Sequence, residues 1–273
     1  MISDTHIHSE FSSDSETPVE SHIERAIELG MLYVCITDHQ DYDAPLLPPL
    51  NRIYLIGDTD DTAGYLMKMR EVKERYKDKI TVLAGVELGL QAHLGPKLYA
   101  YVKQFHFDYV IGSSHYFNGL DGGDRRLYEG RSAQEVCRQY FIEELNNLST
   151  FDGYDTVGHI DYVCRHAPGR LEAFHYRDYA DILDEMLKLV IKNGKGLECN
   201  TCPLMDGQKM AHPHKEILAR YRELGGEVIA FGSDAHTSDR VGGMFETAAE
   251  YVKEAGFKYY TVYVNREPIF IPL

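Results

Sequence analysis

No stretch of this sequence approaches the ~20 consecutive apolar residues that a membrane-spanning helix needs, so no membrane association is expected. The amino terminus lacks a basic segment followed by an apolar core, and no secretory signal is expected either. Basic residues are few: 28 lysines and arginines stand against 43 aspartates and glutamates, for a formal net charge of −15, and no basic run interrupts that balance. Such a surface repels nucleic acid and argues against a nucleic-acid-binding role. A small anionic substrate stays compatible with it where metal ions dominate the local field. Cysteine is sparse as well. Five residues, an odd number, do not make a disulfide framework, and Cys199-Asn-Thr-Cys202 has no second CxxC at zinc-ribbon spacing. Cys35, inside a strand-like run, reads as a small buried apolar residue. A reducing location, the cytoplasm, fits this usage.

What is present is an ordinary 44% of hydrophobic residues over 273, enough for one large domain or two small ones. Strand-like and helix-like runs alternate throughout. Strands are predicted at 2–6, 32–37, 80–86, 108–112, 154–158, 196–200 and 228–232. Helices are predicted from Thr17-Pro18-Val19-Glu20, read as a capping box with proline at the first helical position, to Gly30, and over 62–76, 96–104, 133–148, 177–192, 214–224 and 245–254. Residues 259–264 form a β-rich tail. Two loops stand out: the polar, proline-bearing Asp41 to Asp61, too long for a simple connection, and the glycine- and charge-rich Asn118 to Gly130. The first is a candidate cover for a substrate.

The chemistry-bearing residues sit where the strands end. His6-Ile7-His8 closes the first strand, and residues i and i+2 of a strand point the same way, so both imidazoles converge on one point. Asp38-His39, Glu87, His115, His159 and Asp234-Ala235-His236 close later strands. An open sheet gathers ligands in one crevice, whereas a barrel gathers every strand end around one mouth, and these residues follow almost every strand. The expected fold is therefore α/β, a closed or nearly closed parallel barrel forming a single domain over 1–273, since no cut leaves the cluster intact. With Asp14, the set comprises His6, His8, Asp14, His39, Glu87, His115, His159, Asp234 and His236. Nine nitrogen and oxygen ligands exceed one tetrahedral zinc and suffice for two or three divalent ions (Zn, Fe or Mn) if Glu87 bridges. Ions held roughly 3.5–4 Å apart clamp a phosphoryl group and acidify a shared water.

The order HxH, Asp-His, Glu, Ser-Ser-His, Gly-His-x-Asp and Ser-Asp-Ala-His resembles the polymerase-and-histidinol-phosphatase (PHP) family over essentially the whole chain, and within it the stand-alone histidinol-phosphate phosphatases. The resemblance implies a distorted (β/α)7 TIM-like barrel with a trinuclear centre. His6, His8, Glu87 and Asp234 would hold one metal. Glu87, His115 and His159 would hold the second, and Asp14, His39 and His236 the third. Asp14 stands where many relatives carry histidine. The implied activity is hydrolysis of a small phosphate ester, L-histidinol phosphate, in histidine biosynthesis, by a metal-activated hydroxide. A nucleotide ester within the family, or amide and lactone hydrolysis of the amidohydrolase type, are the rival readings.

Glu87, Asp234 and Arg165 are the residues expected to act in catalysis. Arg165, on the loop after the fifth strand, would fork onto the phosphate. Arg125, Arg126 and Arg240 are alternatives. Asp161 and Asp41 would meet a cationic amine or imidazole of the substrate, or orient ligands from behind. The remaining histidines, His212-Pro-His214 among them, read as structural.

Overall fold

The computed structural model describes residues 2–44, 54–58, 60–169 and 173–273. Parallel strands β1 (Ser3–Asp4), β2 (Tyr33–Ile36), β3 (His39–Gln40), β4 (Thr81–Gly89), β5 (Tyr109–Ser113), β8 (Thr156–Val157), β9 (Gly196–Asn200) and β10 (Ile229–Gly232) make one sheet. Its order is β1-β2-β4-β5-β8-β9-β10, with β3 pairing β4 beyond the end of β2. The chain closes the ring where β10 returns to β1. Thr5 N donates to Phe231 O at 3.0 Å and Asp234 N to His6 O at 2.8 Å, and Ile7 bridges Ala235 in parallel. The expected nearly closed barrel of seven parallel strands is what the backbone forms.

Near-continuous burial of these strands reflects cover on both faces, as parallel sheets require. In β4 only Thr81 is exposed. Outside lie α1 (Val19–Glu28), α2 (Thr62–Tyr76), α3 (Gly95–Gln104), α4 (Ala133–Thr150), α5 (Tyr162–His166), α6 (Ala180–Lys192), α7 (Cys202–Met205), α8 (Lys215–Glu223) and α9 (Phe245–Glu254). Each long helix turns an apolar stripe inward. In α6 this is Ile182, Leu183, Met186, Leu187 and Val190, a 3.6-residue repeat.

Two short pieces, α5 and α7, and the hairpin β6 (Tyr116–Phe117) with β7 (Leu120–Asp121) fall where loops are predicted. The tail is itself a hairpin, β11 (Tyr259–Val264) with β12 (Glu267–Pro272). It packs at the strands' amino ends, where Tyr263 stacks on Tyr109 with centroids 5.2 Å apart and Tyr260 meets Phe231 at 5.6 Å. Among the described residues the hairpin thus covers one end of the barrel.

The capping box expected at Thr17–Glu20 does not form. Thr17 Oγ1 instead donates to His236 O at 2.9 Å, Glu20 pairs with Lys68 at 2.7 Å, and Glu10 Oε2 accepts from Val19 N at 2.6 Å. A carboxylate from the preceding loop does the capping, which ties the helix start to the site. The genuine capping box is Ser132 with Glu135, at the head of α4. Residues 45–53 and 59 of the Asp41–Asp61 loop, expected as a cover, lie outside the described residues.

Candidate metal centre

At the open mouth the strand ends bring the predicted residues together. His6 and His8 flank Ile7 and are fully buried, with their Nε2 atoms 3.0 Å apart. Glu87, two residues before the end of β4, places Oε2 3.3 Å from His6 Nε2, 3.4 Å from His8 Nε2 and 3.0 Å from His39 Nδ1. Its other oxygen, Oε1, lies 3.1 Å from His115 Nε2 and 2.9 Å from His159 Nε2. Asp234 Oδ1 lies 3.2 Å from His8 Nε2. Asp14 Oδ2 lies 3.2 Å from His236 Nε2 and 3.5 Å from His39 Nε2. All nine candidates meet in one place.

Among the described residues three groups are compact enough to hold an ion each: His6, His8 and Glu87; His39, Glu87 and His115; and His8, His39 and His236, the ligating atoms of each group lying within 4.8 Å of one another. Glu87 belongs to two of them, as a bridging carboxylate would. His39 also belongs to two, presenting Nδ1 toward Glu87 and Nε2 toward Asp14. It therefore sits between the second and third positions rather than in the third alone.

The donor chemistry fits a cation and little else. His6 Nδ1 meets Glu198 Oε1 at 2.5 Å and His115 Nδ1 meets Asp41 Oδ1 at 2.7 Å. These carboxylates take the Nδ1 protons, so the Nε2 lone pairs face inward. Lone pairs then confront one another and the Glu87 carboxylate, and Glu87 Oε2 and Asp14 Oδ1 find no hydrogen-bond donor. Acceptors crowded this closely repel unless positive charge lies among them.

The surrounding field favours that charge. Burial opposes ionising His6, yet Glu198, Glu87 and Asp234 raise its pKa well above the ordinary value. His115 is pushed up to about 10, with Asp41 and Glu87 outweighing burial. Burial, with His39 and His236 beside it, holds His8 at about 3. Burial works against Glu87 ionisation too, but His6, His115 and His39 hold its carboxyl well below the usual range.

Several supporting residues carry no motif. Glu198 and Asn200 point inward from β9, two apart. Glu198 Oε2 accepts from His159 N at 3.1 Å, and Asn200 Nδ2 donates to Asp234 Oδ2 at 3.3 Å. A lone glutamate inside an otherwise apolar strand run is the only sequence signal Glu198 gives. Asp38 accepts from Ser9 N at 2.6 Å, Ser9 Oγ at 2.7 Å and Ser12 Oγ at 2.7 Å, clasping the HxH loop. Asp234 adopts the left-handed region at φ 56°, a conformation aspartate tolerates better than most residues.

Above the cluster lies a cavity of about 380 Å³. Arg165 and Arg240 both line it, and Asp206 tethers both, with Arg240 Nη2 at 2.9 Å and Arg165 in direct contact. Arg165 rides on α5, not on a loop. Arg126 is exposed and paired with Asp124, and Arg125 lines a neighbouring pocket with Arg165.

The two expected substrate carboxylates part company. Asp41 lines the cavity but is committed to His115, with His39 Nδ1 3.3 Å from its other oxygen. Asp161 is fully buried outside the cavity wall and accepts from His212 Nδ1 at 2.6 Å and His214 N at 2.8 Å. A neighbouring turn claims both of its oxygens, so Asp161 braces the His212–His214 turn and does not line the cavity.

A barrel mouth ringed by imidazoles and carboxylates, with arginines above, defines a metal-dependent hydrolase. The PHP domain model matches residues 4–202, and the chain belongs to the PHP family. The histidinol-phosphatase of Lactococcus lactis is 30% identical over 261 residues, covering 93% of this chain and 91% of the relative. The probable histidinol-phosphatase of Clostridium acetobutylicum is 32% identical over 258 residues, covering 94% and 95%. The crystal structure of the Lactococcus lactis histidinol phosphate phosphatase, complexed with zinc, L-histidinol and phosphate, superposes with a TM-score of 0.87 at 26% identity, covering 98% of each chain.

Proposed function

We propose that this chain is a metal-dependent phosphomonoesterase that hydrolyses L-histidinol phosphate to L-histidinol and phosphate. The observation that carries the reading is the pairing of Glu87, shared by two ligand groups, with Arg165 and Arg240 across one cavity. That arrangement suits a phosphoryl group, and the similar Lactococcus lactis structure holds phosphate and L-histidinol.

His6, His8, Asp14, His39, Glu87, His115, His159, Asp234 and His236 would hold two or three divalent ions. When bound, such ions acidify water and neutralise charge on a transferring phosphoryl group. Glu198 and Asp41 keep the Nδ1 protons of His6 and His115 in place, so that Nε2 stays a lone-pair donor. Arg165 and Arg240, tethered by Asp206, present guanidiniums to the equatorial phosphoryl oxygens, where charge builds in the transition state. The buried imidazole walls exclude bulk water from the same point. The whole chain acts as one unit, since β10 closes on β1. A cytoplasmic location is part of the proposal and rests on its five cysteines.

The test is phosphate release by metal-loaded protein from L-histidinol phosphate, AMP, a phosphotyrosine peptide and p-nitrophenyl phosphate. Preference for L-histidinol phosphate is expected. Chelation should abolish turnover, and zinc or manganese should restore it. Glu87→Gln should cost at least about 100-fold, more than the loss of an outer-sphere partner. Preference for AMP or for the peptide would replace the substrate, and no release from any ester by metal-loaded protein would overturn the reaction class.

A further inference from the structure

Five carboxylates line the cavity: Asp14, Asp41, Glu87, Asp121 and Asp234. Four of them face imidazole nitrogens within 4 Å. Asp121 does not. Its one hydrogen bond comes from Gly123 N, at 2.7 Å to Oδ1, and it forms no ion pair among the described residues. A carboxylate half-buried in a cavity, acted on by His115 only from beyond ion-pair distance, is a costly arrangement unless something cationic comes closer. Burial does raise its pKa.

The placement of Asp121 is specific. It lies opposite Tyr116 in the β6–β7 hairpin, so the two side chains share a face. Tyr162 packs over the adjoining Gly122, where a Cβ would come within 2.8 Å of its ring. The Tyr162 ring also meets His159, with centroids 4.9 Å apart, and His115, at 5.8 Å. One aromatic ring therefore spans the distance from the candidate metal ligands to Asp121. A carboxylate flanked by tyrosine rings is a cation-recognising arrangement, combining charge with ring quadrupole.

We propose that Asp121, with Tyr116 and Tyr162, forms the subsite that selects phosphate esters bearing a primary ammonium next to the ester carbon. The inference rests on the phosphatase reading and adds a specificity determinant to it. The cavity then meets two opposite demands. Glu87 and the arginines serve the phosphoryl group, and Asp121 serves the ammonium, which in L-histidinol phosphate sits on the carbon beside the ester methylene. Neutral or anionic esters satisfy only the first demand.

The test uses the metal-loaded full chain, with Asp121→Asn and Asp121→Glu, on paired esters: L-histidinol phosphate against its desamino analogue 3-(imidazol-4-yl)propyl phosphate, and phosphoethanolamine against ethyl phosphate. Wild-type protein should favour each aminated ester by roughly 10- to 100-fold in kcat/KM, the size of one charge-assisted hydrogen bond. Asp121→Asn should erase that preference, with kcat/KM for each aminated ester falling to that of its desamino partner. Asp121→Glu should recover part of it. A wild-type enzyme indifferent to the amine, an Asp121→Asn variant that keeps the preference, or one that loses all esters equally would each overturn the subsite. Wild-type protein that ignores L-histidinol phosphate yet prefers phosphoethanolamine to ethyl phosphate would defeat the substrate assignment and keep Asp121 in its role.

Discussion

Glu198 Oε1 and His6 Nδ1 lie 2.5 Å apart at the buried floor of the site. This contact fixes the tautomer and the ring plane of the first histidine of the HxH pair, and it joins β9 to the residues following β1 over the intervening β10. The HxH motif alone supplies a nitrogen, and the glutamate aims it.

Replacing Glu198 with alanine should therefore weaken metal binding by about 10- to 100-fold, the usual cost of losing an outer-sphere carboxylate. Titration against a competing chelator measures this directly. Glu198→Gln, which keeps an acceptor oxygen, should lose less. Equal metal affinity in all three proteins would show that the contact is packing alone.

Gly232 lies against the same pair. A methyl on its Cα would fall 2.2 Å from Glu198 Oε1 and 2.4 Å from His6 Cβ, and neither fully buried side chain can retreat. Gly232→Ala should cost about 1–3 kcal/mol as an overpacked core, lowering the melting temperature by about 2–4 °C for each kcal/mol. Metal affinity should fall with it, because the clash displaces His6. Thermal melting of the metal-loaded and metal-free proteins separates the two effects, and unchanged values in both would refute the clash.

Glu144, on the inner face of α4, is fully buried, and among the described residues neither of its oxygens makes a hydrogen bond of good geometry. Burial pushes its carboxyl up to about 7 from 4.5, with Ser114 and His115 pulling only partly the other way. Between these two values the folded chain keeps a proton that the unfolded chain has released. Stability from this group is therefore full below about 4.5, declines as pH rises, and is lost above about 7. The swing is about 3 kcal/mol at most. Urea unfolding at pH 5 and pH 8 should show Glu144→Gln losing less stability at the higher pH than the parent protein. Parallel losses in the two proteins would contradict the shift.

The βα alternation was legible because buried parallel strands read as short apolar runs and their helices as 3.6-residue repeats. The helix at Thr62–Tyr76, the strand at Gly196–Asn200 and the helix at Phe245–Glu254 fall on the residues predicted. The capping box at Thr17 misled, because a threonine and a glutamate three apart bond locally only if nothing else claims them. Here His236 O and Lys68 do. The short helix α5 and the β6–β7 hairpin were invisible for a related reason: segments of two to five residues carry no period, and long-range packing decides their form.

The sequence by itself determined the identity of the candidate metal ligands. Imidazoles and carboxylates at strand ends have a chemistry that survives without coordinates, and their order along the chain is specific. Only the tertiary structure decided which carboxylates stand behind those ligands and which face the substrate. Asp161, Asp41, Asp121 and Glu198 are all acidic residues near strand ends or turns, and nothing local distinguishes them. Ring closure and side-chain packing do: Asp161 is taken by His212, Asp41 by His115 and Glu198 by His6, and Asp121 alone is left facing the cavity with no imidazole against it. A carboxylate's role follows from the partner that reaches it first, and the partners here come from strands and turns far away in sequence.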